Sequence, residues 1–212
     1  MSNLFFPTLT RRSIYAQKTV GGYYQYGHYR MEIREDCQNR CVYCDIHENE
    51  CGGVDSMHLD HFRPQVHFES LANDPNNLVW TCPGCNRLKS DHWPALGTRE
   101  TYLGDEGFID PFLVMRLDFF NVNEAGELHP IKPPAKYQLE LLQLNRHSRK
   151  QIRLLRQTRL KLIERLRAKA EIIERRVHDE PSISLEGKQE LLNVAHELRR
   201  DAEALLVMMF CV

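Results

Sequence analysis

Apolar residues keep a helical beat along the last third of the chain. Ile152, Leu155, Leu162, Leu166, Ile173 and Val177 recur at intervals of three, four and seven. That period predicts one long amphipathic helix reaching about His178, with Asn145 or Ser148 as its cap. A shorter helix, Ala135 to Leu144, precedes it. The run Asp179-Glu-Pro-Ser-Ile-Ser184 breaks the pattern, and Ser184 to Phe210 carries a second apolar stripe, so the two long helices are expected to form an antiparallel hairpin. Upstream, between Leu103 and Lys132, apolar and polar residues alternate around a turn at Asn123 to Gly126, which predicts a β-hairpin. Pro130, Pro133 and Pro134 mark its end. From Cys41 to about Pro94 the apolar runs are short among Cys, His, Asp and Asn, as in a small fold organised by metal. The first 36 residues are rich in tyrosine and show neither period. The expected divisions are therefore an N-terminal extension (1–36), a central domain (37–132) and a helical region (133–212).

Composition adds bounds. The 212 residues, 42% hydrophobic and 27% charged, suit one globular domain or two small ones sharing a core, and exclude collagen-like, mucin-like and wholly disordered chains. The longest apolar stretch, Ala204 to Val212, is far shorter than the roughly 18 residues that span a bilayer, and the first residues lack a signal-peptide core. A soluble, cytoplasmic protein without a membrane partner is expected.

Overall charge is balanced, with 28 Lys and Arg against 29 Asp and Glu, so any nucleic-acid partner must be argued from local clustering. Such a cluster exists. Between Arg146 and Arg176 stand twelve basic and three acidic residues. This face is either solvated surface, a track for a phosphate backbone, or an interface with an acidic partner.

Seven cysteines in a chain read as cytoplasmic point to metal or redox chemistry rather than disulfides. Cys41-Val-Tyr-Cys44 and Cys82-Pro-Gly-Cys85 are two knuckles of the kind that hold structural zinc, and four thiolates close a tetrahedral site. The span between them should itself fold. A rival reading takes Cys37, Cys41 and Cys44, whose spacing resembles that of radical S-adenosylmethionine enzymes with an iron-sulfur cluster. It leaves Cys82 and Cys85 without a role.

Between the knuckles lie Met57-His-Leu-Asp-His-Phe-Arg-Pro-Gln65 and then Asn76-Asn77-Leu78, leading into Cys82-Pro-Gly-Cys85-Asn86-Arg-Leu-Lys89. Over about Cys41 to Pro94 this resembles the HNH endonucleases, the ββα-metal nucleases, through Asp60, His61, Phe62 and Pro64, then Asn77, then Cys82, Cys85, Asn86 and Lys89. Chemistry assigns matching roles. Asp60 and Asn86 offer hard oxygen ligands for Mg²⁺ or another divalent metal. His61, pointing the other way along a strand, can deprotonate water near neutral pH. Asn77, or alternatively Asn76, braces the loop that positions His61. His58 either touches the metal or packs and bonds behind it. Lys89 and Arg63 are candidates for substrate phosphate, with a solvated lysine as the other reading of Lys89. Ser90 stands where the most metal-rich members carry a His, which leaves two side-chain ligands.

A longer stretch, from Cys41 to about Arg156, resembles the HNH nuclease subunit of Septu-type and retron-associated antiphage systems, through Phe108-Ile-Asp-Pro-Phe112, Ala125-Gly-Glu-Leu-His-Pro130 and Leu141-Leu-Gln-Leu-Asn-Arg146. The resemblance implies an effector nuclease partnered with an ABC-type ATPase. The expected fold is α+β: a zinc-stapled ββα-metal module, an adjacent β-hairpin and a C-terminal helical hairpin. The expected function is metal-dependent DNA cleavage, with self-association or successive nicks needed to cut both strands. The alternative is a non-catalytic zinc module that binds nucleic acid or an ATPase.

Overall fold

The computed structural model describes residues 5–210. The described chain divides into two compact units, one ending at Ile152 and one beginning at Arg153. The division falls inside a helix and not at the prolines near residue 133 or at residue 36, because the flanking segments are built into the same core as the centre.

That core runs from Phe5 to Leu144 and includes Phe6, Tyr29, Ile33, Trp80, Phe108, Phe120 and Leu142, all buried. The tyrosine-rich N-terminal segment is thus part of the fold. Tyr29 is wholly buried, and its hydroxyl donates to Ala16 O at 2.6 Å and accepts from the Tyr24 amide at 2.9 Å. It anchors a 3-10 turn, Tyr26–Tyr29, which leads into helix α1 (Arg30–Asp36).

Strands β1 (His58–His61) and β2 (Leu78–Thr81) pair antiparallel, with His61 opposite Leu78 and His58 opposite Thr81. All four residues of β2 are buried, so it is covered on both faces, whereas β1 is exposed or half-buried along its length. Helix α2 (Pro83–Lys89) follows at once, with Pro83 in the first turn, where a missing amide costs nothing. The result is a ββα unit.

The hairpin expected over residues 103–132 is shorter than its alternation suggests. Strand β3 (Tyr102–Leu103) pairs with β4 (Glu106–Gly107), and β5 (Phe120–Val122) pairs with β6 (Leu128–Pro130). The turn falls where predicted, with Asn123 Oδ1 accepting from the amides of Ala125 and Glu127 and Gly126 at φ +74°. Between the hairpins, residues 108–119 are not strand, because Arg116 is buried there and bonds Val42 O and Pro7 O across the core.

Helix α3 (Ala135–Leu141) precedes α4 (His147–Asp179). Asn145 grips β6, donating to Leu128 O and accepting from Leu128 N. Within the second unit α5 (Leu185–Phe210) runs antiparallel to α4, as the pairs Arg167–Glu203 and Arg199–Glu174 require. The apolar seam differs from the expected stripe. Leu155 and Leu162 are about half exposed, while Ile163, Ala170, Ala195 and Ala202 are buried. Leu166, Ile173 and Val177 lie between exposed and buried, so the inward line follows 163, 166, 170, 173 and 177, rotated away from Leu162. No described helix is long and apolar enough to cross a membrane.

Candidate active site and metal centre

The Cys41-x-x-Cys44 knuckle precedes β1, and Cys82-x-x-Cys85 joins β2 to α2. The fold brings the four sulfurs within 4.8 Å of one another, all buried, with Cys44 and Cys82 3.7 Å apart. Tetrahedral zinc with Zn–S bonds of about 2.3 Å requires sulfurs about 3.8 Å apart, so the donor set fits the ion. Burial pushes the Cys41 thiol up, while hydrogen bonds from its three neighbours hold Cys82 down. A dication lets all four ionise together. Cys37 stands apart: it is fully buried, its sulfur accepts the Trp80 amide at 3.4 Å, and burial raises its thiol to about 12. The grouping of Cys41 and Cys44 with Cys82 and Cys85 leaves the three-cysteine iron-sulfur reading without its first ligand.

Two arginines, Arg146 just before α4 and Arg149 in its first turn, complete this centre. Arg146 Nη2 donates to the sulfurs of Cys82 and Cys85 at 3.4 Å. Arg149 donates through Nε to Cys44 and through Nη2 to Cys82, both at 3.3 Å. Burial disfavours the Arg149 charge, but the sulfurs of Cys44 and Cys82 outweigh it and raise its pKa. Four thiolates and one Zn²⁺ carry a net charge of −2, which two guanidinium groups neutralise. Gly84 makes room for this arrangement, since a Cβ there would stand 3.3 Å from Arg146 Nη2.

Alternation along β1 puts Asp60 and His61 on opposite faces. The His61 ring nitrogen Nε2 lies 2.8 Å from Ala72 O. A carbonyl only accepts, so Nε2 carries the hydrogen, and in the neutral imidazole Nδ1 is the atom with the lone pair. Asn77 secures the intervening loop. Its Nδ2 donates to Arg63 O at 3.0 Å and Leu71 O at 3.4 Å, and its Oδ1 accepts from Arg63 N at 2.9 Å. Asn76, exposed, bonds only Asp74 among the described residues.

Asp60 is a nearly buried carboxylate whose Oδ2 meets Lys89 Nζ at 3.4 Å and the Tyr43 hydroxyl at 3.5 Å, both long contacts. Burial raises its carboxyl above the ordinary value, and the Lys89 charge opposes the rise. A buried anion with such loose partners suits a cation. Asn86 lies on α2, half-buried. Lys89 differs from both of its expected roles. It is fully buried and donates to His61 O at 2.8 Å, so it braces β1 from inside instead of meeting solvent or phosphate. Arg63 is likewise engaged, stacked over Trp93 and donating to the carbonyls of Arg99 and Glu100. His58 is exposed, which removes the packing role.

Much of the basic stretch has a partner within the protein, buried near the start of α4 and at the surface farther along. Arg146 and Arg149 serve the cysteines, Lys150 pairs with Glu127, Arg153 and Arg156 are buried, and Arg167, Arg175 and Arg176 pair with Glu203, Glu171 and Glu180. Lys161, Arg165 and Lys169 stay exposed along one line of α4.

No curated protein and no solved structure matches the chain. Residues 41–92, from the first knuckle cysteine to just past α2, match the family model of the HNH endonuclease.

Proposed function

We propose that this protein is a metal-dependent endonuclease that hydrolyses DNA phosphodiester bonds with His61 as general base. The observation that carries the reading is the contact between His61 Nε2 and Ala72 O, which leaves Nδ1 as a proton acceptor one residue from a buried carboxylate. Asp60 and Asn86 would hold the divalent metal. When bound, that ion supplies positive charge against the phosphate and the leaving oxygen. His61 Nδ1 takes the proton of the attacking water, and the imidazolium so formed is stabilised by Ala72 O, to which Nε2–H already points. Asn77 ties Arg63 to Leu71, and with them the loop whose Ala72 carbonyl meets His61. Lys89 holds Asp60 and the His61 carbonyl from behind.

The outer motifs between Cys41 and Arg156 support a role as the effector of an antiphage system, held by an ABC-type ATPase. One metal cuts one strand, so linear DNA arises from two protomers or from successive nicks.

Supercoiled plasmid incubated with zinc-loaded protein, with and without Mg²⁺, tests the reading. Nicked and then linear plasmid is expected only with Mg²⁺, and His61→Ala should lower the rate at least about 100-fold. Intact plasmid bound by a zinc-loaded wild-type protein would favour the binding module.

A further inference from the structure

His61 is held at a second point, from outside the residues that match the nuclease family. The Tyr26 ring lies 5.0 Å from the His61 ring, centroid to centroid, at an interplanar angle of 61°. Tyr26 is 43% exposed, so burial alone does not explain its place. Its backbone is tied to the same loop as the imidazole, since the Tyr26 amide donates to Asn73 Oδ1 at 3.1 Å, and Asn73 follows the residue whose carbonyl receives His61 Nε2. The turn that carries Tyr26 is fixed in the core by Tyr29, whose ring meets those of Tyr15, Tyr23 and His28 edge-on. A buried anchor thus presents a half-exposed ring to the imidazole.

We propose that Tyr26 is a positioning residue for His61, and that residues 23–29 complete the active site of the nuclease module. The inference rests on the reading of His61 as general base. A single hydrogen bond at Nε2 fixes one atom of the imidazole and leaves rotation about Cβ–Cγ and the tilt of the ring soft. An aromatic edge against the ring removes that freedom, so Nδ1 meets the attacking water in one orientation. The contribution belongs to the chemical step and not to DNA affinity. Tilted aromatic pairs are worth enough to change a rate by about 3- to 10-fold. The contact needs the ring and not the hydroxyl.

The test uses the full chain, zinc-loaded, with supercoiled plasmid and Mg²⁺. Tyr26→Phe should cleave within about 2-fold of wild type, and Tyr26→Leu and Tyr26→Ala should lose about 3- to 10-fold in kcat with KM unchanged. Imidazole NMR should report the Nε2–H tautomer that Ala72 O sets in every variant, with the His61 ring signals sharp in the wild type and in Tyr26→Phe and broadened by conformational exchange in Tyr26→Ala. Unchanged kcat and spectrum in Tyr26→Ala would overturn the proposal, as would a raised KM with unchanged kcat, which would make Tyr26 a substrate contact. Should Tyr26→Ala fail to fold, Tyr26→Leu and the wild-type spectrum decide, exchange broadening of the His61 ring in the wild type counting against it. If the wild type does not cut DNA at all, the nuclease reading fails while the imidazole spectra still judge the contact.

Discussion

Arg149 donates through Nε to the sulfur of Cys44 at 3.3 Å, across 105 residues of chain. The start of α4 is thereby fastened to the cysteine centre, and guanidinium groups stand against the charge that its four sulfurs would carry around a metal.

Zinc retention should depend on that contact. Arg149→Ala is expected to weaken zinc binding about 10-fold, with Arg149→Lys intermediate because lysine keeps the charge but lacks the rigid planar fork of the guanidinium. Release to a chromogenic chelator measures it. Cys41→Ser and Cys85→Ser should lose both zinc and the folded nuclease module, since binding free energy in small zinc sites is folding free energy.

Cys37 should behave as a core thiol. Burial raises it to about 12 from an ordinary value of 9.0, so its neutral form is favoured in the fold. The stability this contributes is full below about pH 9 and is lost as pH rises through about 12. Mass spectrometry after iodoacetamide at pH 8 should find Cys37 unmodified in the native protein and alkylated only after denaturation.

Lys89→Met should destabilise the protein by about 3 kcal/mol, because it leaves the Asp60 carboxylate buried beside an apolar chain and removes the donor to His61 O. Urea unfolding of the zinc-loaded variant reads the loss. A surface phosphate contact would instead leave the midpoint unchanged.

Asn77→Asp is nearly isosteric and keeps the acceptor for Arg63 N, but it turns a carboxylate oxygen toward the carbonyls of Arg63 and Leu71. We expect a loss of about 1–3 kcal/mol in stability and slower cleavage, with zinc content unchanged. Normal stability and cleavage in this variant would deny Asn77 its bracing role.

The seam of the helical unit can be located by contrast. Ala202→Leu should overpack the α4–α5 contact and cost about 1–3 kcal/mol, whereas Leu162→Ala, at a half-exposed position, should change stability by less than about 1 kcal/mol. The opposite ranking would restore the stripe through Leu162.

Local rules in the sequence were enough for the parts of this protein whose physics is local. The four knuckle cysteines, the turn at Asn123 to Gly126 and the break between α4 and α5 follow from ligand spacing and turn chemistry, and the β1–β2 pair around Asp60 and His61 is implied by the resemblance to the ββα-metal nucleases. Tertiary structure decided everything that needed a partner distant along the chain. Arg146 and Arg149 look like part of a basic face until the fold sets them on sulfurs of Cys44 and Cys82. Lys89 looks solvated until α2 turns it under β1, and Tyr26 has no role until Tyr29 pins its turn beside His61. The helical period told that α4 has an apolar side but not which side, because leucines next to arginines leave the stripe broad. Only the tertiary structure, which buries Ile163 and Ala170 together with Ala195 and Ala202, selects the line. A charge or a ring carries no address in the sequence; the core that encloses it supplies one.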